Sequence, residues 1–283
     1  MTASPAVSSL PDLPESGGLC AIHQPNLFPR LTTLAKLFAA DYWIVLDDVQ
    51  FTRRDYQHRA RLGALDEPDR RQWLTVPTHL PHGRSTLIRD ALIDDPDRAR
   101  RKTAGVLRQH YGASPHWPAL AQALDPVLDA FGTGRTATVA AISTRVLLGL
   151  LGWQGQILAS SDLPSRPGRS QRLADLCAAT YARAYMCGTG GMTYLDPAPF
   201  AAEGIAVTPF QPPTTNIWSS SRRLSALWAL AALGPQDLAA RLQELTPSMP
   251  SEGTGHGTNA VDERTECRTA RLPVLRSVPK TKT

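Results

Sequence analysis

The chain has 283 residues, 42% of them hydrophobic, enough to bury one large core or two modest ones because the buried fraction rises with chain length. It holds no run of about 18 apolar residues and no basic segment followed by an apolar stretch at the N-terminus. Neither a membrane span nor a signal peptide is therefore expected, and the sequence points to a cytoplasmic protein. The net charge of +5 would invite a polyanionic partner, but residues 247–283 carry six bases against four acids, which leaves +3 for the rest. That is too little for a nucleic-acid footprint.

Only four of the 30 basic residues are Lys (Lys36, Lys102, Lys280 and Lys282), a skew that reads as compositional bias towards Arg. Cys20, Cys177, Cys187 and Cys267 show no CxxC spacing, so they are expected to be reduced thiols rather than zinc ligands or a dithiol motif. Cys20 and Cys177 sit in apolar runs, where a small hydrophobe serves packing.

Residues 1–17, rich in Pro and Ser, and 247–283, rich in Ser, Thr, Gly and Pro, cannot bury enough surface to offset ordering entropy. Both are expected to be disordered, leaving a folded body over 18–246. It begins with a short buried run, Leu19 to Ile22, followed by Leu31, Leu34, Ala35 and Phe38 at helical spacing and a second strand from Tyr42 to Leu46. This is a β-α-β unit. Trp73 to Val76 and Leu87 to Ile93 read as further strands, the second interrupted by Arg89 and Asp90. Asp97 to Tyr111, Ala119 to Phe131 and Thr136 to Leu151 turn helical, which makes a helical insert or cap of about 96–152. Alternation then resumes: a strand from Gln156 to Ala159, a helix from Gln171 to Thr180, strands from Ala184 to Cys187 and Ile205 to Val207, and a helix from Arg222 to Leu233 closed by Gly234-Pro235. The pattern predicts an α/β fold with a mostly parallel, Rossmann-like sheet flanked by helices.

In such sheets ligands bind beyond the carboxyl ends of the strands. Those ends are polar or Gly-rich throughout: His23-Gln24-Pro25-Asn26, Asp47-Asp48-Val49-Gln50, Pro77-Thr78-His79, Ser160-Ser161-Asp162 and Cys187-Gly188-Thr189-Gly190-Gly191. His23 and Gln24 lead into the first helix, whose N–H groups and dipole favour an anion, and His23 is either a general acid or base or a histidine capping the loop. Asp47 and Asp48 are adjacent, so alternation along a strand directs at most one of them into a site. Lys36, within the first helix, is either a ligand contact or a solvated charge. Arg53, Arg54, Arg59 and Arg61, with Tyr56, Gln57 and His58 between them, are either a clamp for phosphate or carboxylate or a solvated face.

The Gly188 to Gly191 turn permits close approach of backbone to a ligand but is neither a Walker loop nor a dinucleotide fingerprint. Cys187 would need a base or a helix N-terminus beside it to act as a nucleophile. His79, His82, His110 and His116 show no zinc spacing, no metal site is expected, and no GxSxG elbow occurs.

The string IHQPNLFPRLTTLAKLFAADYWIVLDDVQFTRR, followed by QWLTVPT and GTGGMTYLDPAPFAAEGIAV, resembles the WbqC-like protein family over roughly residues 20–234. The resemblance implies His23, Gln24, Pro25, Asn26, Lys36, Asp47, Gln50, Phe51 and Gly188 as family-matching positions. It also implies a place in polysaccharide (O-antigen) or antibiotic-type specialised biosynthesis and a glycine or aminoacyl transferase activity. The chain departs from the family pattern at His58 and Ala60, where Asn is usual, at Cys187, where Ser is frequent, and at Trp228, in place of an expected Asp. A frequent Ser at position 187 argues against thiol catalysis.

The leading expectation is acyl or aminoacyl transfer to an amine or hydroxyl of a sugar-like or natural-product acceptor. His23 acts as base and Asp47 orients or binds the donor, with Gln24, Asn26, Lys36, Asp48, Gln50, Arg54, Cys187, Gly188 and Thr189 as substrate contacts. The partner is a small molecule, with no membrane or nucleic acid. A nucleotide-dependent ligase or nucleotidyltransferase using ATP and Mg²⁺ is the second reading, and a non-catalytic binding or scaffold protein of a biosynthetic pathway the third.

Overall fold

The computed structural model describes residues 18–246; the stretches 1–17 and 247–283, for which the sequence predicts disorder, lie outside the described residues. Strand β1 (Leu19–His23) is followed by helix α1 (Leu31–Phe38) and β2 (Tyr42–Val45). Next come β3 (Arg59–Gly63), β4 (Arg71–Thr75), β5 (Thr78–His79) and β6 (Leu92–Ile93). A helical stretch follows: α2 (Pro96–Tyr111), α3 (Trp117–Ala123), α4 (Asp125–Asp129) and α5 (Thr136–Leu150). The chain then returns to alternation with β7 (Gln156–Ala159), α6 (Arg169–Ala178), β8 (Ala184–Gly188), α7 (Thr189–Met192), α8 (Ala198–Ala202), β9 (Ala206–Phe210), α9 (Ala226–Leu233) and α10 (Pro235–Gln243).

Five strands form one all-parallel sheet in the order β7-β2-β1-β8-β9, flanked by helices, which is the α/β Rossmann-like arrangement. Alternation along β1 and β2 explains why both faces are covered. Leu19, Ala21, Trp43 and Val45 point to one side, where α1, α5 and α9 bring Leu34, Leu147 and Leu227; Cys20, Ile22, Tyr42 and Ile44 point to the other, against Leu176 and Cys177 of α6 and Phe200 of α8. Cys20 and Cys177 are buried free thiols.

Asp41 sets the register at the amino edge of the sheet. Its carboxylate accepts from Leu19 N at 2.7 Å, its N–H donates to Leu19 O at 2.8 Å, and its carbonyl accepts from Gln156 N at 2.8 Å, so one residue ties β1, β2 and β7 together.

Four expectations change. Residues 73–76 are not a strand of the parallel sheet: β4 pairs antiparallel with β3, a strand hidden behind the arginines of 59–61, so Pro77-Thr78-His79 does not reach the ligand-binding rim. The stretch 87–93 contains only the two-residue β6, because Ile88 and Arg89 give their N–H groups to Val49 and Asp47 instead of to a neighbouring strand. The helix expected from Ala119 to Phe131 is broken between α3 and α4, where Pro126 lacks an N–H to continue the ladder. The last predicted helix starts at Ala226 rather than Arg222, because Ser225 caps it, accepting from Leu227 N at 3.2 Å; beyond Gly234, at φ 81°, Pro235 opens the further helix α10. Among the described residues no helix is long and apolar enough to cross a membrane.

Gly155, which enters β7, has no room for a side chain: a Cβ there would lie 2.4 Å from Asp41 O and 2.2 Å from the Trp153 ring. Gly155→Ala should therefore lower stability by about 1–3 kcal/mol, the usual cost of overpacking. A chemical-denaturation midpoint indistinguishable from that of the unsubstituted protein would contradict this placement of β7.

Candidate functional site

The strand order reverses at β1. The chain runs from β1 outward through β2 to β7, then crosses to the other side of β1 to lay down β8 and β9. A reversal of this kind leaves a crevice at the carboxyl ends of the two strands that flank it. Here the crevice is a cavity of about 450 Å³ lined from β1 by Ile22 and His23, from α1 and its approach by Arg30, Thr32, Thr33 and Lys36, and from β8 onward by Cys187 to Gly191. Tyr185, Phe210, Pro212 and Arg222 complete the lining.

The loop between His23 and α1 is held from outside the sheet. Leu27 N donates to Tyr56 O at 2.9 Å, and Phe28 N donates to Ser143 Oγ at 2.8 Å. Asn26 O accepts from Ser143 and Thr144 hydroxyls at 3.3 and 3.1 Å. Helix α5 thus fixes the loop, including Phe28, which sits at φ 43° and is buried. The first two N–H groups of α1 are occupied by Leu224 O and Ser221 O, both at 3.2 Å, so they do not point at a ligand as the sequence suggests. What that pairing does is bring Arg222 to the cavity.

His23 places its Nδ1 2.8 Å from Gln24 O. A carbonyl can only accept, so the proton is on Nδ1 and Nε2 carries the lone pair. Burial and the nearby Lys36 ammonium push its pKa down to about 3, and the ring is neutral at physiological pH. Lys36 is 6% exposed and donates from Nζ to Ile22 O at 3.1 Å; burial pulls its pKa down to about 8. The Cys187 thiol lies over Gly191, where a Cβ would come within 2.6 Å of Sγ, and burial raises its pKa, so it stays protonated. The nearby Lys36 ammonium works against that burial without overcoming it.

Of the residues singled out from sequence, the cavity brings together His23, Lys36, Cys187, Gly188 and Thr189. It does not take in Asp47 or Asp48. Both Asp47 oxygens accept hydrogen bonds, from Ser160 Oγ at 3.1 Å and Ser161 N at 3.2 Å on one side and Ser161 Oγ at 3.0 Å on the other, and Asp47 lines a separate open cleft with Arg89 and Arg135. Asp48 is ion-paired with Arg172 and bonded to Ser160, which holds its carboxyl below the usual range. Gln24 accepts from Gln57 Nε2 at 2.7 Å, Asn26 is buried beneath the loop, Gln50 donates to Arg84 O, and Arg54 is exposed on the surface. Arg59 and Arg61 flank the Trp73 ring, each 4.4 Å from its centroid, rather than clamping a ligand in the cavity. Residues unforeseen from sequence are Arg30, Thr32, Thr33 and Arg222. Arg30 stood within reach of the strand-end rule, just before the first helix; Arg222 arrives from the far end of the chain and no local signal marks it.

Fold and cavity define an α/β protein with an open cavity at the switch point of a parallel sheet. The model of the WbqC-like protein family matches residues 24–236, and the chain belongs to that family. The chain is similar to the Uncharacterized protein Rv1507c of Mycobacterium tuberculosis (strain ATCC 25618 / H37Rv), 28% identical over 193 residues, which span 67% of this chain and 80% of that protein. No solved structure matches significantly.

His23 and His58, whose pKa burial lowers to about 4, are neutral when folded but take up a proton when unfolded below their ordinary value of about 6.5. A depressed imidazole contributes stability above that value, and the contribution is lost as the pH falls towards the folded pKa. Denaturation midpoints should therefore drop as the pH is lowered from 6.5 towards about 4, and His23→Gln with His58→Gln should flatten that slope; a slope unchanged in the double variant would refute the assignment.

Proposed function

We propose that the protein is a biosynthetic transferase that moves an acyl or aminoacyl group, glycine-type in the family setting, onto an amine or hydroxyl of a sugar-like or natural-product acceptor. His23 is its general base. The observation that carries this reading is the Nδ1 contact with Gln24 O, which commits the ring to one tautomer and leaves an unprotonated Nε2 for the cavity. In the proposed step the acceptor O–H or N–H gives its proton to Nε2 as its oxygen or nitrogen bonds to the donor's carbonyl carbon. The leaving group then departs with the proton returned from the imidazolium. Negative charge on a bound substrate would raise the low pKa of His23 towards a useful range.

Asp47 has no part in this step, because Ser160 and Ser161 engage its oxygens and it faces the neighbouring cleft. Its role is to fasten the end of β2 to the end of β7. The basic lining and switch-point position also favour a nucleotide-dependent ligase as the second reading. Magnesium chemistry would draw on carboxylate oxygens, however, and no Asp or Glu lines the cavity. Among the described residues no group of three or more His, Cys, Asp or Glu is placed to hold a metal.

Activity of His23→Ala on a family acceptor and donor should drop by about 10²-fold or more, whereas Asp47→Asn should retain the rate within a few-fold and lose stability. Full activity in His23→Ala would remove the base from the mechanism. Isothermal titration with ATP and Mg²⁺ separates the second reading, since saturable binding that requires Mg²⁺ would favour the ligase.

A further inference from the structure

We infer that the cavity between β1 and β8 is a subsite for a phosphoryl dianion, held by Lys36 on its inner wall and by Arg30 and Arg222 at its mouth. As a statement about the transferase's substrate this rests on the preceding reading; anion binding by the cavity stands apart from it and can be measured without catalysis.

The charge lining the cavity is one-sided. Arg30, Lys36 and Arg222 are its only fixed charges, His23 is neutral, and no carboxylate is present. None of the three cations makes an ion pair among the described residues, although other arginines of the chain do, with Asp48, Asp69, Asp129, Asp175 and Glu203. An unpaired cation at the surface is ordinary, but Lys36 is 6% exposed. An ammonium has three donors, and among the described residues the only partner of Lys36 Nζ is Ile22 O. Two donors therefore remain for whatever enters the cavity. Holding a desolvated charge without a counter-charge is costly, and a bound anion would remove that cost. The depressed pKa of Lys36 is the same imbalance seen from the proton's side.

Arg30 repeats the pattern. Its guanidinium lies 4.4 Å from the centre of the Tyr56 ring and donates from Nη1 to Arg222 O at 3.2 Å, while its buried Nε has no partner. Stacking fixes the plane of the fork, and a fixed guanidinium lining the cavity suits a tetrahedral oxyanion. The amino end of α1, the positive end of that helix dipole, contributes Thr32 and Thr33 to the same wall. Three cations exceed what one carboxylate would neutralise, whereas a dianion comes close to balance. The cavity, about 450 Å³, has room for more than a phosphoryl group, so the rest of a phosphorylated molecule can lie beside His23 Nε2.

Calorimetric titration of the full chain with inorganic phosphate, against acetate at equal ionic strength, tests this. Phosphate should bind saturably and tighter than acetate, and the affinity should weaken about tenfold or more in Arg222→Gln and in Lys36→Met, the loss expected for a hydrogen bond to a charged group. Binding near pH 8 should also take up about half a proton as the anion restores the charge on Lys36, an uptake seen by comparing two buffers and lost in Lys36→Met. Arg222 is exposed, so its variant reads the site even if the Lys36 variant folds poorly. Absence of saturable phosphate binding, acetate binding as tight as phosphate, or an unchanged affinity in Arg222→Gln would each overturn the inference. His23→Ala should keep phosphate binding. An inactive His23→Ala in a protein blind to phosphate would uphold the base and discard the subsite, and an active His23→Ala that binds phosphate would do the reverse.

Discussion

The position of β1 at the point where the sheet changes direction governs the rest of the molecule. Its backbone is paired on one side with β2 and on the other with β8, and its side chains are buried on both faces, so it cannot shift without disturbing two cores. Because the chain leaves β1 on one side for β2 and returns to its other side only with β8, the carboxyl ends of β1 and β8 have no loop of their own to close the gap between them. The cavity is the consequence. His23 terminates the one strand and Cys187-Gly188 the other, and α1 runs back alongside with Lys36 turned inward.

Lys36 and the burial it shares with His23 set the charge state within that space. The ammonium depresses the imidazole, the shared burial depresses the ammonium, and no acid is present to relieve either. In a water-filled loop such effects would be screened; inside a walled crevice the effective dielectric is lower and each charge is felt strongly by its neighbours. The carboxylates that could have balanced them, Asp47 and Asp48, are drawn instead to Ser160, Ser161 and Arg172, where they bind the end of β2 to the end of β7 and to α6. Asp47 and Asp48 thus help to hold the rim together, while Arg30, Lys36 and Arg222 face a cavity without a carboxylate.

The helical stretch between β6 and β7 has a structural share in the site although it contributes no residue to the cavity lining. Ser143 and Thr144 of α5 hold the carbonyl of Asn26 and the N–H of Phe28, and so set the path of the loop that carries His23 towards α1. Family resemblance in the HQPN segment is therefore partly a matter of backbone support: Asn26 is buried with its carbonyl held by α5, and Gln24 is engaged with Gln57.

Several features could be read from residues alone because they depend on short-range periodicity. The runs Leu19 to Ile22, Tyr42 to Leu46 and Gln156 to Ala159 carry the apolar density that a strand buried on both faces requires, and 31–38 and 136–150 carry a helical period. Polar strand ends then pointed to His23 and Cys187 to Thr189. Sequence failed where long-range pairing decides: Arg59 to Gly63 is a strand because Arg71 to Thr75 pairs with it, and its arginines gave no apolar pattern to detect. It failed again over Asp47, whose environment is made by serines more than a hundred residues away, and over Arg222, delivered by the bonds of Leu224 and Ser221 to the start of α1. Local spacing fixes which segments become strands and which residues end them, since those depend on neighbours along the chain. Which of the ends share a cavity, and with what charge, depends on strand order, and strand order is settled only when the whole sheet assembles.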